Sequence, residues 1–225
     1  MPYLSRIYLN PLRSGTQRLF TNPQRLHAAV LGGLPGQPVT ERVLWRIEQD
    51  AHRLTVLVLT RSRPSWEHLV EQAGWPGAAT PQAEVRDYQP MLDRLATGQT
   101  YTFRVRANPA HSLPPAGPGR RGRRVAHRTV AQQTSWLTGH APTWGMTVPD
   151  GTAGQPDLRV VDRQTLRFAK SDGTTRRQVT VQTATFEGSA TVTDPTRLAG
   201  CLLDGVGPAR AYGCGLLTLA PRWET

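Results

Sequence analysis

Residues 43–59 read VLWRIEQDAHRLTVLVL. The runs 43–47 and 54–59 are rich in leucine, valine and isoleucine, and a polar segment around Asp50-Ala51-His52 separates them. Two short β-prone runs on either side of a polar turn predict a pair of neighbouring strands. The elements before and after this pair therefore decide to which fold it belongs.

The segments upstream predict a strand followed by a helix. Residues 3–9 alternate between apolar and polar side chains before becoming apolar, which is typical of a strand. Asn22 is a favourable N-cap residue and Pro23 suits the first helical turn, so a helix is predicted over 23–31. Gly32 then ends it.

The segments downstream predict a second helix and a closing strand. Ser65 is the predicted cap of a helix over 66–73, and residues 84–88 are predicted to form the last strand. The resulting order, strand-helix-strand-strand-helix-strand, is the signature of a ferredoxin-like domain.

The second half of the chain predicts the same order with insertions. The predicted elements are a strand over 100–107, a helix over 129–138, strands over 158–169 and 176–186 joined by Ser171-Asp172-Gly173-Thr174, a helix over 195–203 and a strand over 216–219. We therefore predict an α+β chain with two tandem ferredoxin-like (RRM-like) domains. The predicted boundaries are 1–89 for the first, 90–98 for a linker and 99–225 for the second.

The charge of the chain indicates a polyanionic partner. The formal net charge is +11, and Lys170 is the one lysine among 27 basic residues. A GC-rich genome would explain the choice of arginine, but not the excess of positive charge. Residues 1–98 carry 11 basic and 8 acidic groups, a net +3, and residues 99–225 carry 16 and 8, a net +8. A nucleic acid is therefore expected mainly on the second half.

Membrane, secretory and zinc-binding roles are not favoured. No apolar run reaches the roughly 18 residues of a membrane span, and the first residues lack the pattern of a signal peptide. We expect a cytoplasmic protein without a membrane partner. Cys201 and Cys214 are interpreted as small buried thiols, because a zinc site would need more ligands at suitable spacing.

The segment 205–215 is the most distinctive local feature. Its four glycines are Gly205, Gly207, Gly213 and Gly215. It lies between a predicted helix and a strand, whereas phosphate loops of nucleotide-binding domains run from a strand into a helix. Two interpretations stay open: tight packing of the helix against the strand, or a loop that follows an RNA backbone.

Four motifs in the same order give a resemblance to a known family. They are Leu9-Asn10-Pro11, Asn22-Pro23-Gln24-Arg25-Leu26-His27, the strand YTFRVRANP at 101–109, and GVGPARAYGCGLL at 205–217. Together with the length and element order, they resemble the CasE family, the CRISPR RNA-cutting subunit of type I-E Cascade. Arg210 stands where that family usually has lysine.

The resemblance implies an activity. Members of the family cut the CRISPR repeat transcript at the base of a stem-loop, without a metal or any other cofactor. The ribose 2′-hydroxyl attacks the neighbouring phosphate and leaves a 2′,3′-cyclic phosphate and a 5′-hydroxyl. The enzyme stays bound to the mature crRNA and joins the other Cascade subunits; when free, we expect a monomer.

His27 is the candidate catalytic residue. An imidazole titrates near neutral pH and can take or give a proton during phosphodiester cleavage. Without the resemblance, an ordinary surface or half-buried helical histidine would be favoured; with the resemblance, catalysis is favoured. Many members carry tyrosine three residues earlier, where this chain has Gln24. Tyr8 and Arg18 are alternatives for that supporting role.

Two groups of basic residues are the candidate RNA-binding groups, beside Arg25 near the helix start and Arg210 in the glycine-rich segment. The predicted hairpin carries Arg163, Arg167, Lys170, Arg176 and Arg177. The predicted flexible loop carries Arg120, Arg121, Arg123 and Arg124. The alternative is that both groups are simply solvated charged surfaces. In the resembling family the hairpin grips the RNA stem, mainly through phosphates and shape.

A second function from another class stays open. RRM-like domains often bind RNA without cutting it, so a non-catalytic RNA-binding scaffold would use the same fold. A DNA-binding role is not favoured, because the chain has no helix-turn-helix, zinc-finger or basic-zipper pattern.

Overall fold

The computed structural model describes residues 1–49, 53–114, 117, 122–151, 154–171 and 176–222. The predicted turns at Asp50-Ala51-His52 and at 172–174 therefore lie outside the described residues. Arg120 and Arg121 lie outside them as well, and of Arg123 and Arg176 only the backbone is described.

The N-terminal domain is an antiparallel sheet with helices on one face. Its elements are β1 (Tyr3–Leu9), α1 (Ser14–Phe20), α2 (Pro23–Leu31), β2 (Leu44–Gln49), β3 (Leu54–Thr60), α3 (Glu67–Ala73) and β4 (Ala83–Asp87). The strands lie in the order β2-β3-β1-β4. This is the order expected of a ferredoxin-like sheet, in which the first and third strands are central.

The C-terminal domain repeats that order. After α4 (Gln89–Asp93), its elements are β5 (Thr100–Ala107), β6 (Ala110–Leu113), β7 (Arg123–Ala126), α5 (Val130–His140), β8 (Met146–Thr147), β9 (Leu158–Ser171), β10 (Arg176–Val192), α6 (Pro195–Asp204) and β11 (Leu217–Pro221). The sheet runs β11-β5-β10, and both β9 and β8 pair with β10. The predicted fold class is therefore confirmed.

Helix α2 begins and ends where the local sequence predicts. The side chain of Asn22 accepts a hydrogen bond from the backbone N–H of Gln24, and Pro23 occupies the first turn. Leu26 and Val30 point into the core below the helix, where they pack with Ile7 and Trp45. Because Leu26 and Val30 are buried, only the other side of α2 can be reached by a ligand.

Three local predictions are wrong. Helix α1 is absent from the prediction. It is stabilised by tertiary contacts, because the Thr16 hydroxyl donates to the carbonyl of Ala73 on α3 at 3.0 Å. Ser65 does not cap α3, because the helix begins at Glu67 with Trp66 as its N-cap residue and without a side-chain cap. The basic segment expected as a loop contains β7, which pairs with β6 as a hairpin, so Arg124 lies in a strand.

Both faces of the first sheet contribute to apolar packing. One face packs under α1, α2 and α3, and the other contributes Leu44, Leu57 and Leu59 to the core of the C-terminal domain. All seven residues of β3 are consequently buried. The two domains thus share apolar packing, and the edge strand β2 lies directly between them.

Arg46 ties β2 to the second domain. It is 2% exposed, and its Nη1 donates to the carbonyls of Arg104 at 2.8 Å and Leu216 at 2.9 Å. Its Nη2 donates to the Thr218 hydroxyl and to Glu48. One buried guanidinium therefore bonds three strands from two sheets.

The cysteines are free thiols. Cys201 is half-buried and Cys214 is buried, and burial raises the pKa of Cys214 to about 12. Within the described ranges, no helix is long and apolar enough to cross a membrane. In the same ranges, no three His, Cys, Asp or Glu side chains are grouped so that they could hold a metal ion.

Candidate active site

His27 faces the edge strand of the first sheet. It lies on α2 and is half-buried, and the indole N–H of Trp45 on β2 donates to its Nδ1 at 3.1 Å. Burial lowers the pKa of His27, so the neutral imidazole is favoured at neutral pH. The ring is held by a specific side chain and does not turn freely at the surface.

The glycine-rich segment packs directly behind that contact. Gly213 has φ 78°, and a Cβ built there would stand 2.6 Å from Cζ3 of Trp45. Gly205 approaches Leu44 on the same strand in the same way. The segment therefore packs tightly against β2 of the first domain, a contact that neither interpretation anticipated. That it follows an RNA backbone stays a prediction.

The long hairpin β9–β10 reaches the same place. The rings of Phe168 on β9 and Tyr212 in the glycine-rich segment meet edge to face, with centroids 4.8 Å apart. The side-chain amide of Asn22 donates to the carbonyl of Ala169 at 3.4 Å. The start of α2, the glycine-rich segment and the hairpin, which are far apart in sequence, therefore converge beside His27.

The basic residues of the hairpin lie on two different faces. Lys170 lies directly opposite Arg177, next to the pair Phe168 and Val179, on the face that meets Tyr212. Because side chains alternate along a strand, Arg163 and Arg167 point to the other face. Arg163 donates to the backbone carbonyl of Arg128 at 3.2 Å, so its neighbourhood is the start of α5.

Lys170 and Arg177 are both exposed and lie opposite each other, next to Ala169, whose carbonyl accepts from Asn22. Like charges directly opposite each other in a sheet cost stability unless an anion lies between them. A phosphate bound there would remove that cost. This pair is therefore suited to binding an anionic group.

Arg210 and Arg25 are in different environments. The Nε of Arg210 donates to the carbonyl of Gly207 at 3.1 Å, so the side chain folds back over its own loop. Burial, and then the guanidinium of Arg42, lower the pKa of Arg210. Arg25 lies on the exposed side of α2.

A cleft of about 540 Å³ opens between the two sheets beside this site. Trp45 and Tyr212 line it together with Arg104 and Arg106 of β5. Arg104 is paired with Glu187 at 2.8 Å. Arg106 is bonded to the neutral side chains of Gln164 and Thr183, so its positive charge is not compensated by them.

Comparisons with known proteins identify the family of this chain. Residues 2–221 match the family described as CRISPR associated protein. The chain belongs to this family. It is 33% identical to the CRISPR-associated endoribonuclease Cse3 of Thermus thermophilus, over 97% of this chain and all of that relative. It is 27% identical to the CRISPR system Cascade subunit CasE of Escherichia coli, over 97% and 99%.

A solved structure shows the same fold along the whole chain. The similarity is to Thermus thermophilus Cse3 bound to an RNA representing a pre-cleavage complex, with a TM-score of 0.78 and 32% identity, over 98% of this chain and 99% of that one. The resemblance to the CasE family of type I-E Cascade is thereby confirmed.

Within the CasE family this chain departs at Gln24, and the structure distinguishes the two suggested substitutes. Tyr8 lies on the opposite face of β1 from Ile7, which packs under α2, and its hydroxyl donates to Glu84 at 3.0 Å. Tyr8 therefore cannot reach His27. Arg18 lies on α1, which packs against α2, and it bonds Ser14 of its own helix.

Sequence reasoning missed Trp45, Phe168 and Tyr212 as residues of this site. The local sequence around each of them is equally typical of an ordinary residue in a buried strand or a loop. The local signals are a tryptophan within a predicted strand and a tyrosine directly before Gly213. Neither signal reveals its partner, because the contacts join elements more than a dozen residues apart.

Replacing Gly213 by alanine is expected to damage this site. The added Cβ would clash with the Trp45 ring and would adopt a strained positive φ, so we expect a loss of about 2–4 kcal/mol in the free energy of unfolding. Denaturation in urea measures it. Gly77→Ala is the matched control, since Gly77 has φ 68° but no atom of the described residues within 4 Å of an added Cβ. Equal losses in both variants would show that strain alone acts and that the contact with Trp45 is unimportant.

Proposed function

We propose that this chain is a metal-independent endoribonuclease that cuts CRISPR repeat RNA at the base of its stem-loop. The products are a 2′,3′-cyclic phosphate and a 5′-hydroxyl, and the protein stays bound to the mature crRNA as a subunit of Cascade. The curated relatives support this proposal, since one is named an endoribonuclease and the other a Cascade subunit. We further propose a cytoplasmic protein that is monomeric when free, with domains over 1–89 and 99–225.

The observation that carries the proposal is the convergence beside His27. Helix α2, the glycine-rich segment and the basic hairpin meet there, and the sequence points to each of them for a separate reason. A scaffold that only binds RNA would need the basic surface. It would not need a half-buried imidazole fixed next to it.

The reaction requires that the 2′-oxygen, the phosphate and a proton-exchanging or hydrogen-bonding side chain are held in the correct positions. The 2′-oxygen forms a bond to phosphorus as the bond to the 5′-oxygen breaks. The proton that the 2′-hydroxyl loses and the proton that the leaving 5′-oxygen gains are exchanged with the imidazole or with solvent water, so that no net proton is released. We assign His27 to the phosphate at which this occurs, because an imidazole can exchange a proton there or donate a hydrogen bond to the developing charge.

The RNA is held by arginine and lysine, mainly on the C-terminal domain. We assign contacts nearest the cut to Arg25, Lys170 and Arg177, and contacts further along the stem to Arg163 and Arg167. Arg176, Arg210 and the group Arg120, Arg121, Arg123 and Arg124 complete the proposed surface. Since A-form RNA hides its base edges in a deep groove, phosphate contacts should dominate.

The direct test is to incubate the protein with its own repeat RNA in excess EDTA. We expect cleavage at one position near the stem base, with a 2′,3′-cyclic phosphate on the upstream fragment, identified by its resistance to phosphatase until acid opens the ring. An RNA with a single 2′-deoxy substitution at that position should stay intact, because it lacks the nucleophile. Tight binding without cleavage would support the scaffold function instead, and cleavage only after a divalent cation is restored would refute metal independence.

A further inference from the structure

Trp45 holds His27 in one orientation and in one protonation form. An indole N–H is a donor and never an acceptor. Since it lies 3.1 Å from Nδ1 of His27, Nδ1 must supply the lone pair of this hydrogen bond. A neutral imidazole has a single ring proton, which must then reside on Nε2.

The position of Trp45 is itself well determined. The side chain is 1% exposed and packs in the core with Leu26 of α2. Gly213 presses against the other part of its ring. The indole therefore has little freedom to leave His27, and the bond is built into the junction of β2, α2 and the glycine-rich segment.

We propose that Trp45 is a positioning residue for the reaction, which fixes His27 as the Nε2–H tautomer and presents that N–H to an oxygen of the scissile phosphate. The proposal rests on the proposed function and assigns a narrower role to His27. While the bond to Trp45 persists, neither ring nitrogen can accept the proton of a 2′-hydroxyl. His27 then acts by donating a hydrogen bond and keeps its proton.

Two features of the structure fit this role. A donor that is oriented before the RNA arrives can stabilise charge that develops on the phosphate without reorganising. Burial also lowers the pKa of His27, which favours the neutral ring that Trp45 requires. A protonated ring would place N–H against N–H and would break the contact.

The first measurement is made on RNA-free protein and does not depend on activity. In protein labelled with ¹⁵N-histidine, long-range proton–nitrogen correlations distinguish the two tautomers of each of the six histidines. The His27 signal is identified by its disappearance in His27→Ala. We expect the Nε2–H form at neutral pH; a dominant Nδ1–H form would overturn the proposal.

The second measurement uses Trp45→Phe, which removes the donor and keeps an aromatic ring. We expect loss of the tautomer preference and a fall of about 10- to 100-fold in the single-turnover cleavage rate, with RNA affinity unchanged. Trp66→Phe is the matched control. Trp66 is 2% exposed in the same core, and its indole N–H has no hydrogen-bond partner among the described residues. It should reproduce the loss of packing without the loss of rate.

The outcomes separate this proposal from the proposed function. Equal cleavage rates for the Trp45 and Trp66 variants would refute a positioning role, even if the chain is a nuclease. Failure of the unaltered chain to cleave any repeat RNA would refute the proposed function. If Trp45→Phe does not fold, the tautomer of the unaltered protein still decides whether the inferred hydrogen bond exists.

Discussion

His27→Ala is expected to lower the single-turnover rate of repeat RNA cleavage by about 10²- to 10⁴-fold, the usual contribution of a positioned acid, base or hydrogen-bond donor. Affinity for the RNA should stay within a few-fold of the unaltered chain, because the basic residues that bind phosphates are untouched. Gel-based cleavage under enzyme excess gives the rate, and filter binding to a 2′-deoxy substrate gives the affinity.

The appropriate control is His68→Gln. His68 lies on α3 and bonds the carbonyl of Ala29 on α2, and glutamine retains a donor for that carbonyl. This control should cleave normally. If His27→Ala also cleaves normally, the catalytic assignment is wrong although the chain could still be a nuclease. A parallel loss of rate and affinity would mean that His27 supports RNA binding and not the chemical step.

Arg46→Met is expected to cause the largest loss of stability of any change considered, about 3–5 kcal/mol in the free energy of unfolding. Methionine fills a similar length but removes the guanidinium donor from the Leu216 carbonyl and one of two donors from the Arg104 carbonyl, which keeps the Thr218 hydroxyl at 3.2 Å. An unsatisfied buried polar group costs about 1–3 kcal/mol. The change takes the guanidinium donor from the Leu216 carbonyl and also takes from Glu48 the cation that it bonds. Urea denaturation followed by tryptophan fluorescence measures the effect.

Arg86→Met provides the comparison. Arg86 also pairs with a glutamate two residues away, but its side chain is 81% exposed. Exposed ion pairs contribute at most about 1 kcal/mol, so this variant should be nearly as stable as the parent. Similar stability for both variants would show that Arg46 does not couple the domains. The coupling matters for the site, because His27 lies in one domain and the basic hairpin in the other.

The fold was largely predictable because its signals are local. Asn22 followed by Pro23 defines the start of α2, and the alternation of residues 3–9 and 100–107 defines β1 and β5 with the bounds that the structure has. Helix α1 was not predicted, because it has no such local signal. Its sequence is polar with a glycine near the start, and its stability comes from contacts with α3.

The site was predictable only as separate parts. The glycine-rich segment and the basic hairpin could be selected from residue type and spacing, whereas His27 was selected through the resemblance to the CasE family. That Lys170 and Arg177 share the face of Tyr212 while Arg163 and Arg167 do not depends on the register between β9 and β10. Two strands that are both long and polar specify their register weakly in sequence.

The sequence by itself determined the order of the elements, the ferredoxin-like class, the excess of positive charge on the second half and the membership that four ordered motifs indicate. These properties depend on local propensity and composition, which act within a few residues. Only the tertiary structure decided that Trp45 bonds His27, that Gly213 packs on Trp45 and that Arg46 joins the sheets. Such contacts depend on how two separately folded sheets are placed against each other, and no short stretch of chain encodes that placement.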